Sequence, residues 1–360
     1  MTETIWPRRE TRLIRFGSLG VGGGQPVRVE SMTKTDTRDV EGTSQQIQRL
    51  ACGGCEMVRV AVPDEKAAEA LKQIVARTSV PVMADIHFDH RLALLSMEAG
   101  VQGLRINPGN IGGEDQVKAV ADKSLEKGIP LRVGVNAGSL AKGGKARPQG
   151  GRPLVEAMVE AGLREVEILE RRGVKDILFS MKAFDVDVTV EGCRLAAQYC
   201  PYPFHAGITE AGPVPEGMIR SAAGLGILLA EGLADTIRIS LTDEPEREVE
   251  TAYALLAAMG IRRRGPVLIS CPTCGRCEVD LRPVVEAVRE GLREMSSAIT
   301  VAVMGCPVNG PGEAKHADVG VAGGRGKALL FMKGQVVRSV PEDEMVQALL
   351  DACRQIEDAS

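Results

Sequence analysis

From residue 27 to about residue 261 the chain repeats one pattern: a short β-branched apolar run, a polar loop, then a stretch with helical apolar spacing. The runs predict strands over Val27–Ser31, Met57–Ala61, Val82–Asp85, Gly103–Ile106, Leu131–Val135, Asp176–Ser180, Phe204–Ile208 and Thr236–Ser240. Helices are predicted between them, among them Glu65–Arg77, Arg91–Ala99, Glu114–Lys127 and Glu244–Met259. Pro81, Pro130 and Pro203 stand just before strands, where proline stops the preceding helix. Eight such units over about 240 residues have the size and rhythm of a (β/α)8 barrel, with an open doubly wound sheet as the alternative. Upstream, the glycines of L-G-V-G-G-G-Q-P-V (19–27) lead into a strand, where a dinucleotide fingerprint would need a helix. A hairpin plugging one end of the barrel accounts for them better.

After residue 262 the pattern changes. Arg262-Arg263-Arg264-Gly265-Pro266 reads as a linker or as charge at a helix C-terminus. Beyond it, strands are predicted over Val267–Ser270 and Thr300–Met304, and a hairpin over Lys327–Lys333 and Gln335–Val340. Helices are predicted over Arg282–Met295 and Glu342–Glu357. The fold class expected is therefore α/β: a TIM-type barrel over residues 1–262, then a small α/β domain over 263–360.

Composition narrows the function. The 360 residues, 44% hydrophobic, are enough for a barrel and a second small domain. A net charge of −4, without a basic tail, argues against nucleic-acid binding, and 3% aromatics leave few stacking platforms. No apolar run approaches the roughly 20 residues that span a bilayer, so no membrane role is expected. The first residues lack an apolar signal core, and the expected compartment is the cytoplasm. There the nine cysteines are expected to be reduced, with Cys52, Cys55, Cys193, Cys200 and Cys353 packed as small apolar residues.

Chemistry concentrates at the strand ends, the face that carries active sites in such barrels. They present Arg59, Asp85 with His87, Arg105 with Asn107, Arg132 with Asn136, Lys182, Thr209 with Glu210, and Arg238 with Ser240. The pleat puts Arg105 with Asn107, and Arg238 with Ser240, on one face. Internal ion pairs with Asp85 and Glu210 are the plainer account of these charges. Five cations on five strands point instead to a multiply charged anion, because guanidinium forks match phosphate oxygens.

The second domain carries C-P-T-C-G-R-C (271–277) and G-C-P-V-N-G-P-G-E (305–313). Three cysteines in seven positions, with Cys306 in a Gly/Pro-rich loop, suggest a metal centre. Structural zinc, core cysteines and an iron–sulfur cluster are the readings to weigh. The cluster is preferred because a second C-x-x-C knuckle is missing. Its fourth ligand could be Cys277 or Glu313.

Read together, the chain resembles the bacterial 4-hydroxy-3-methylbut-2-en-1-yl diphosphate synthases of the methylerythritol phosphate route to isoprenoids. The resemblance is carried by S-M-T-K-T-D-T-R-D (31–39), A-D-I-H-F-D (84–89), L-R-I-N-P-G-N-I-G (104–112), R-V-G-V-N-A-G-S-L (132–140), G-I-T-E-A-G (207–212), C-P-T-C-G-R (271–276) and V-N-G-P-G-E-A (308–314). It implies reductive ring opening of 2-C-methyl-D-erythritol 2,4-cyclodiphosphate, with loss of water. It also implies a [4Fe–4S] cluster on Cys271, Cys274, Cys306 and Glu313, flavodoxin or ferredoxin as electron donor, and a head-to-tail homodimer. Arg59, Arg105, Arg132, Asn136, Lys182, Thr209, Arg238 and Ser240 would then hold the diphosphate. Glu210 would be the acid/base, with Asp85 and His87 as second choices. Cys277 departs from the family, as do Glu30, where glutamine is usual, and Arg220, where lysine is usual. A barrel lyase or hydrolase acting on a phosphosugar, with structural zinc, is the rival reading.

Overall fold

The computed structural model describes residues 5–107, 110–137, 151–306, 312 and 314–359. The chain divides into two compact units, Met1–Arg262 and Arg263–Ser360.

The first unit opens with a hairpin, β1 (Ile14–Phe16) against β2 (Leu19–Val21). Eight parallel strands follow: β3 (Arg28–Met32), β4 (Met57–Ala61), β5 (Val82–Asp85), β6 (Gly103–Ile106), β7 (Leu131–Asn136), β8 (Ile177–Lys182), β9 (His205–Ala206) and β10 (Thr236–Ile237). Their spatial order is β8-β7-β6-β5-β4-β3-β10-β9, and a parallel bridge between Phe179 and Phe204 joins the two ends into a barrel. The prolines before the strands donate no hydrogen bond, but their carbonyls do accept. Pro81, Pro130 and Pro203 receive the amides of Val58, Leu104 and Phe179 on the neighbouring strands.

Helices α1 (Val40–Cys52), α2 (Glu65–Arg77), α3 (His90–Glu98), α4 (Glu114–Lys127), α5 (Gly151–Arg171), α6 (Val186–Ala196), α7 (Glu216–Ala230) and α8 (Pro245–Ala258) surround the strands. Asp39, Asp64 and Asp89 cap the first three, each accepting a first-turn amide. The main core lies between strands and helices. A smaller one joins Ile14, Phe16 and Val21 of the hairpin to Met57, Met83 and Leu178 near the starts of β4, β5 and β8. The hairpin is thus a plug at the N-terminal end of the barrel. Phe16 reaches so far in that a Cβ on Gly103 would stand 2.6 Å from its ring.

Strands β9 and β10 are shorter than the pattern predicts. At Gly207, just past β9, a Cβ would stand 2.6 Å from the Arg238 carbonyl and 2.8 Å from Lys182 Nζ, so functional side chains crowd the backbone there. Cys55, Cys193, Cys200 and Cys353 are buried as expected, whereas Cys52 is exposed at the end of α1. Burial pushes the Cys55 and Cys193 thiols up to about 12, which leaves them inert.

The second unit is a five-stranded sheet, ordered β11 (Val267–Ser270), β12 (Thr300–Met304), β13 (Val319–Gly324), β14 (Lys327–Met332) and β15 (Gln335–Pro341). The first three strands run parallel, and the last two continue antiparallel. Helices α9 (Leu281–Gly291) and α10 (Met345–Asp358) complete its separate core. The pattern of the sequence draws no strand at β13, the middle of this sheet. Its V-G-V-A-G-G has weak strand propensity, and two of its glycines are there for packing: a Cβ on Gly320 would stand 2.4 Å from the Phe331 ring, and one on Gly323 2.7 Å from Val279. No helix among the described residues is long and apolar enough to cross a membrane.

Candidate functional site

The alternation of the strands turns the predicted cations inward, and there they meet carboxylates. Arg132, second in β7, is 1% exposed and donates from Nη1 to Glu30 Oε2 at 2.6 Å. Arg105 donates from Nη1 to Asp85 Oδ1 at 3.2 Å and lies 3.3 Å from His87 Nδ1. Arg59 lies between the two acids, its Nε 3.9 Å from Glu30 Oε1 and 3.7 Å from Asp85 Oδ2. Beyond β10, Arg238 faces Glu248 at 3.4 Å, and Glu248 also accepts from Ser31 Oγ and the Leu241 amide. Lys182, at the end of β8, has its Nζ 2.8 Å from His205 Nε2.

The carboxylates do not neutralise the cations. Among the described residues, Arg59, Arg105, Arg132, Lys182 and Arg238 face Glu30, Asp85 and Glu248, and Glu248 is shared with Lys34 at 3.5 Å. Burial pushes Glu30 up, but Arg132 and Arg59 more than reverse this and hold it below the usual carboxylate range. Asp85 is likewise held low by Arg59, His87 and Arg105 against its burial. The cations carry the strain: burial brings Arg132 down to about 10, and burial together with Arg59, Arg238 and Arg132 holds Lys182 well below its ordinary value. Among the described residues, the buried donors Arg59 Nε and Arg132 Nη2 and the buried acceptors Asn107 Oδ1 and Glu30 Oε1 have no hydrogen-bond partner. Fixed donors with surplus positive charge at the C-terminal end of a barrel can grip a multiply charged oxyanion.

The structure brings Arg59, Asp85, His87, Arg105, Arg132, Lys182 and Arg238 into one network. Asn136 ends β7 opposite Lys182, and the Thr209 amide donates to the carbonyl of Ala183, the residue after Lys182. Ser240 lies two residues past Arg238, half-buried. Glu210 stands apart from the network, exposed, at φ +56°. That left-handed conformation costs a non-glycine residue roughly 1–3 kcal/mol, and such residues cluster at functional sites.

In the second unit, β11 ends at the first cysteine loop and β12 at the second. Their pairing, Ser270 opposite Val303, brings the loops side by side. The Gly305 amide donates to Cys271 Sγ at 3.3 Å, and the Glu278 amide donates to the Gly305 carbonyl. A Cβ on Gly305 would stand 2.3 Å from Cys277 Sγ and 3.3 Å from Cys271 Sγ. Glycine is therefore demanded where sulfur from one loop packs on the backbone of the other. Thr273, between Cys271 and Cys274, is held at φ +55°. Cys271, Cys277 and Cys306 are half-buried and Cys274 is exposed. Among the described residues no three His, Cys, Asp or Glu side chains converge as metal ligands, and Glu313 lies outside those residues. The donor set nonetheless suits an iron–sulfur cluster: cysteine sulfurs on neighbouring loops, and an amide hydrogen already bonded to a sulfur.

Residues 11–253 match the GcpE TIM-barrel domain, and residues 267–355 match the GcpE protein C-terminal domain. The chain belongs to the GcpE family. Relatives named 4-hydroxy-3-methylbut-2-en-1-yl diphosphate synthase (flavodoxin) extend over almost its whole length. The Thermodesulfovibrio yellowstonii protein is 52% identical over 347 residues, 96% of this chain and 99% of its own. The Geobacter sulfurreducens protein is 52% identical over 343 residues, 95% of this chain and 97% of its own. The Bacillus licheniformis protein is 48% identical over 345 residues, 96% of this chain and 93% of its own.

In this GcpE chain the sequence pattern marked the cations and one partner, Asp85, but not the others. Glu248 sits on α8 with no motif around it. His205 lies in an apolar strand, and only the four-histidine total of the chain singles it out. Glu30, noted only as a departure from glutamine, proves to be the counter-ion of Arg132.

Proposed function

We propose that the chain converts 2-C-methyl-D-erythritol 2,4-cyclodiphosphate into 4-hydroxy-3-methylbut-2-enyl diphosphate, with two electrons and one proton entering and water leaving. The observation that carries this reading is the cluster of four arginines and the chargeable Lys182 facing three carboxylates in the barrel, in a chain of the GcpE family. Arg59, Arg105, Arg132, Lys182 and Arg238 bind the two phosphates, and Asn136, Thr209 and Ser240 supply further polar contacts. Their fixed positions hold the ring at the strand ends and exclude water from around the phosphates. Asp85 holds Arg105 and Arg59 in place, and His87 closes the same corner. Glu210 holds the proton and delivers it to the departing hydroxyl oxygen.

Cys271, Cys274 and Cys306, with Glu313 as fourth ligand, would hold a [4Fe–4S] cluster, which when bound supplies the electrons one at a time. A carboxylate is a harder ligand than a thiolate and leaves iron more readily. The relatives' names point to a flavodoxin as the donor. The working form in this reading is a head-to-tail homodimer in the cytoplasm.

The test is iron and sulfide analysis of anaerobically purified protein, followed by a spectroscopic titration with the cyclodiphosphate. About four irons per chain and a ligand-dependent spectrum are expected. Zinc without iron, or a spectrum indifferent to the ligand, overturns the reading. Within it, Cys306→Ser loses iron and Cys277→Ser keeps it; the reverse result replaces the ligand set.

A further inference from the structure

His205 is fully buried and has a partner on each ring nitrogen. Lys182 Nζ lies 2.8 Å from Nε2, and Thr236 Oγ1 lies 2.7 Å from Nδ1. This arrangement serves two charge states equally well. With Lys182 an ammonium, it donates to Nε2, and the imidazole proton sits on Nδ1 facing the threonine oxygen. With Lys182 a neutral amine, the imidazole proton can move to Nε2 and donate to the amine, while the threonine hydroxyl turns to donate to Nδ1. Every hydrogen bond survives the change, so the surrounding charge decides between the states.

Among the described residues, that surrounding takes in the Cys193 thiol on α6, Glu30 and three arginines. Glu30 on β3 places Oε1 3.5 Å from His205 Nε2. Arg59 on β4, Arg132 on β7 and Arg238 beyond β10 face the pair from the other strands, and together with burial they disfavour charge on Lys182 and on His205. Gly207 makes room for the amine against the backbone, since a Cβ there would stand 2.8 Å from Nζ. An empty pocket therefore repels a proton from the amine, and a pocket holding an oxyanion attracts one.

We propose that His205 is a positioning residue that seats Lys182 as a chargeable amine, so that binding of the doubly negative anion draws one proton from solvent onto the lysine nitrogen. The inference rests on the reading of the barrel as a cyclodiphosphate site and adds its proton balance. The proton joins the nitrogen lone pair, and no other bond forms or breaks. Ring opening frees a phosphate oxygen that carries a third negative charge, and the ammonium is then already in place to meet it.

Calorimetric titration of the anaerobic holoenzyme with the cyclodiphosphate, in buffers of differing ionisation enthalpy, counts the protons. Uptake is expected to rise with pH toward about one proton, while affinity falls by up to about tenfold per pH unit over the same range. Binding without proton exchange in wild-type protein overturns the inference. Absence of binding overturns the pocket reading itself. Lys182→Met should bind more weakly, with uptake abolished; an unchanged proton count in that variant refutes the role of the lysine. His205→Gln, whose amide oxygen accepts from an ammonium, should shift the uptake midpoint to higher pH. His205→Leu, which offers no acceptor, should shift it lower. Midpoints unmoved in both variants would reduce His205 to packing.

Discussion

Glu30 is a carboxylate without water, 1% exposed, whose neighbours are Arg132, Arg59 and His205. Removing its charge while keeping its shape separates two effects. In Glu30→Gln the amide oxygen still accepts from Arg132, but the pocket gains one unit of positive surplus. Affinity for the cyclodiphosphate should rise several-fold, and the ligand-free protein should lose about 1–3 kcal/mol, since a buried guanidinium has lost its counter-ion. Acid adds a second reading. Glu30 is held below the usual carboxylate range in the folded chain, so unfolding binds a proton that folding refuses. Its contribution is complete above the unfolded value of about 4.3 and is lost as pH falls toward the folded one. Melting temperatures between pH 7 and pH 3 should therefore fall less steeply for Glu30→Gln than for wild type, and calorimetry checks this together with the affinity. A variant with unchanged affinity would show that Glu30 does not set the field of the pocket. The cations were legible in the sequence because each interrupts or closes an apolar run. Glu30 was not read as their partner, because its ion pair spans 102 positions of sequence and joins strands that no local pattern relates.

Elements were legible where burial alone fixes the residue types. β4, β5, β6, β11 and β12 follow the apolar runs to the residue, and α2 and α4 follow their caps and periodicity. β13 was hidden because its glycines answer to Phe331 and Val279, contacts that only the folded sheet reveals. The same logic gives the cysteine loops a sharp test. At Gly305 a methyl group would meet two sulfurs, whereas at Gly275, inside C-P-T-C-G-R-C, it would meet nothing within 4 Å. Gly305→Ala should lose its iron and Gly275→Ala should keep it, as read from iron per chain after identical anaerobic reconstitution. Equal iron in the two variants would mean that the loops need not approach at Gly305 to hold the cluster, and the pairing of β11 with β12 would no longer explain the site.

At the scale of the whole molecule, two units with separate cores divide the chemistry. The barrel holds the charged network and Glu210; the smaller unit holds the cysteines. In the proposed reading the barrel grips the diphosphate and the cysteine domain supplies the electrons, so turnover requires a barrel and a cysteine domain together. The proposed head-to-tail homodimer takes the two from different chains, and this can be decided without imaging the assembly. Glu210→Gln removes the proposed proton donor and leaves the cysteines intact. Cys306→Ser removes a proposed ligand and leaves the barrel intact. Each variant alone should be inactive. Chains of both kinds co-expressed in equal amounts pair at random, so half the dimers are mixed. In a mixed dimer working across chains, one site combines both lesions and the other combines neither. About a quarter of wild-type activity should then return. If each chain worked alone, every site would carry a lesion and no activity would return, because mixing cannot repair a site confined to one chain. Recovered turnover would thus establish that one chain's cysteines serve another's barrel; its absence, with mixed dimers verified by two different tags, would return the whole reaction to the single chain.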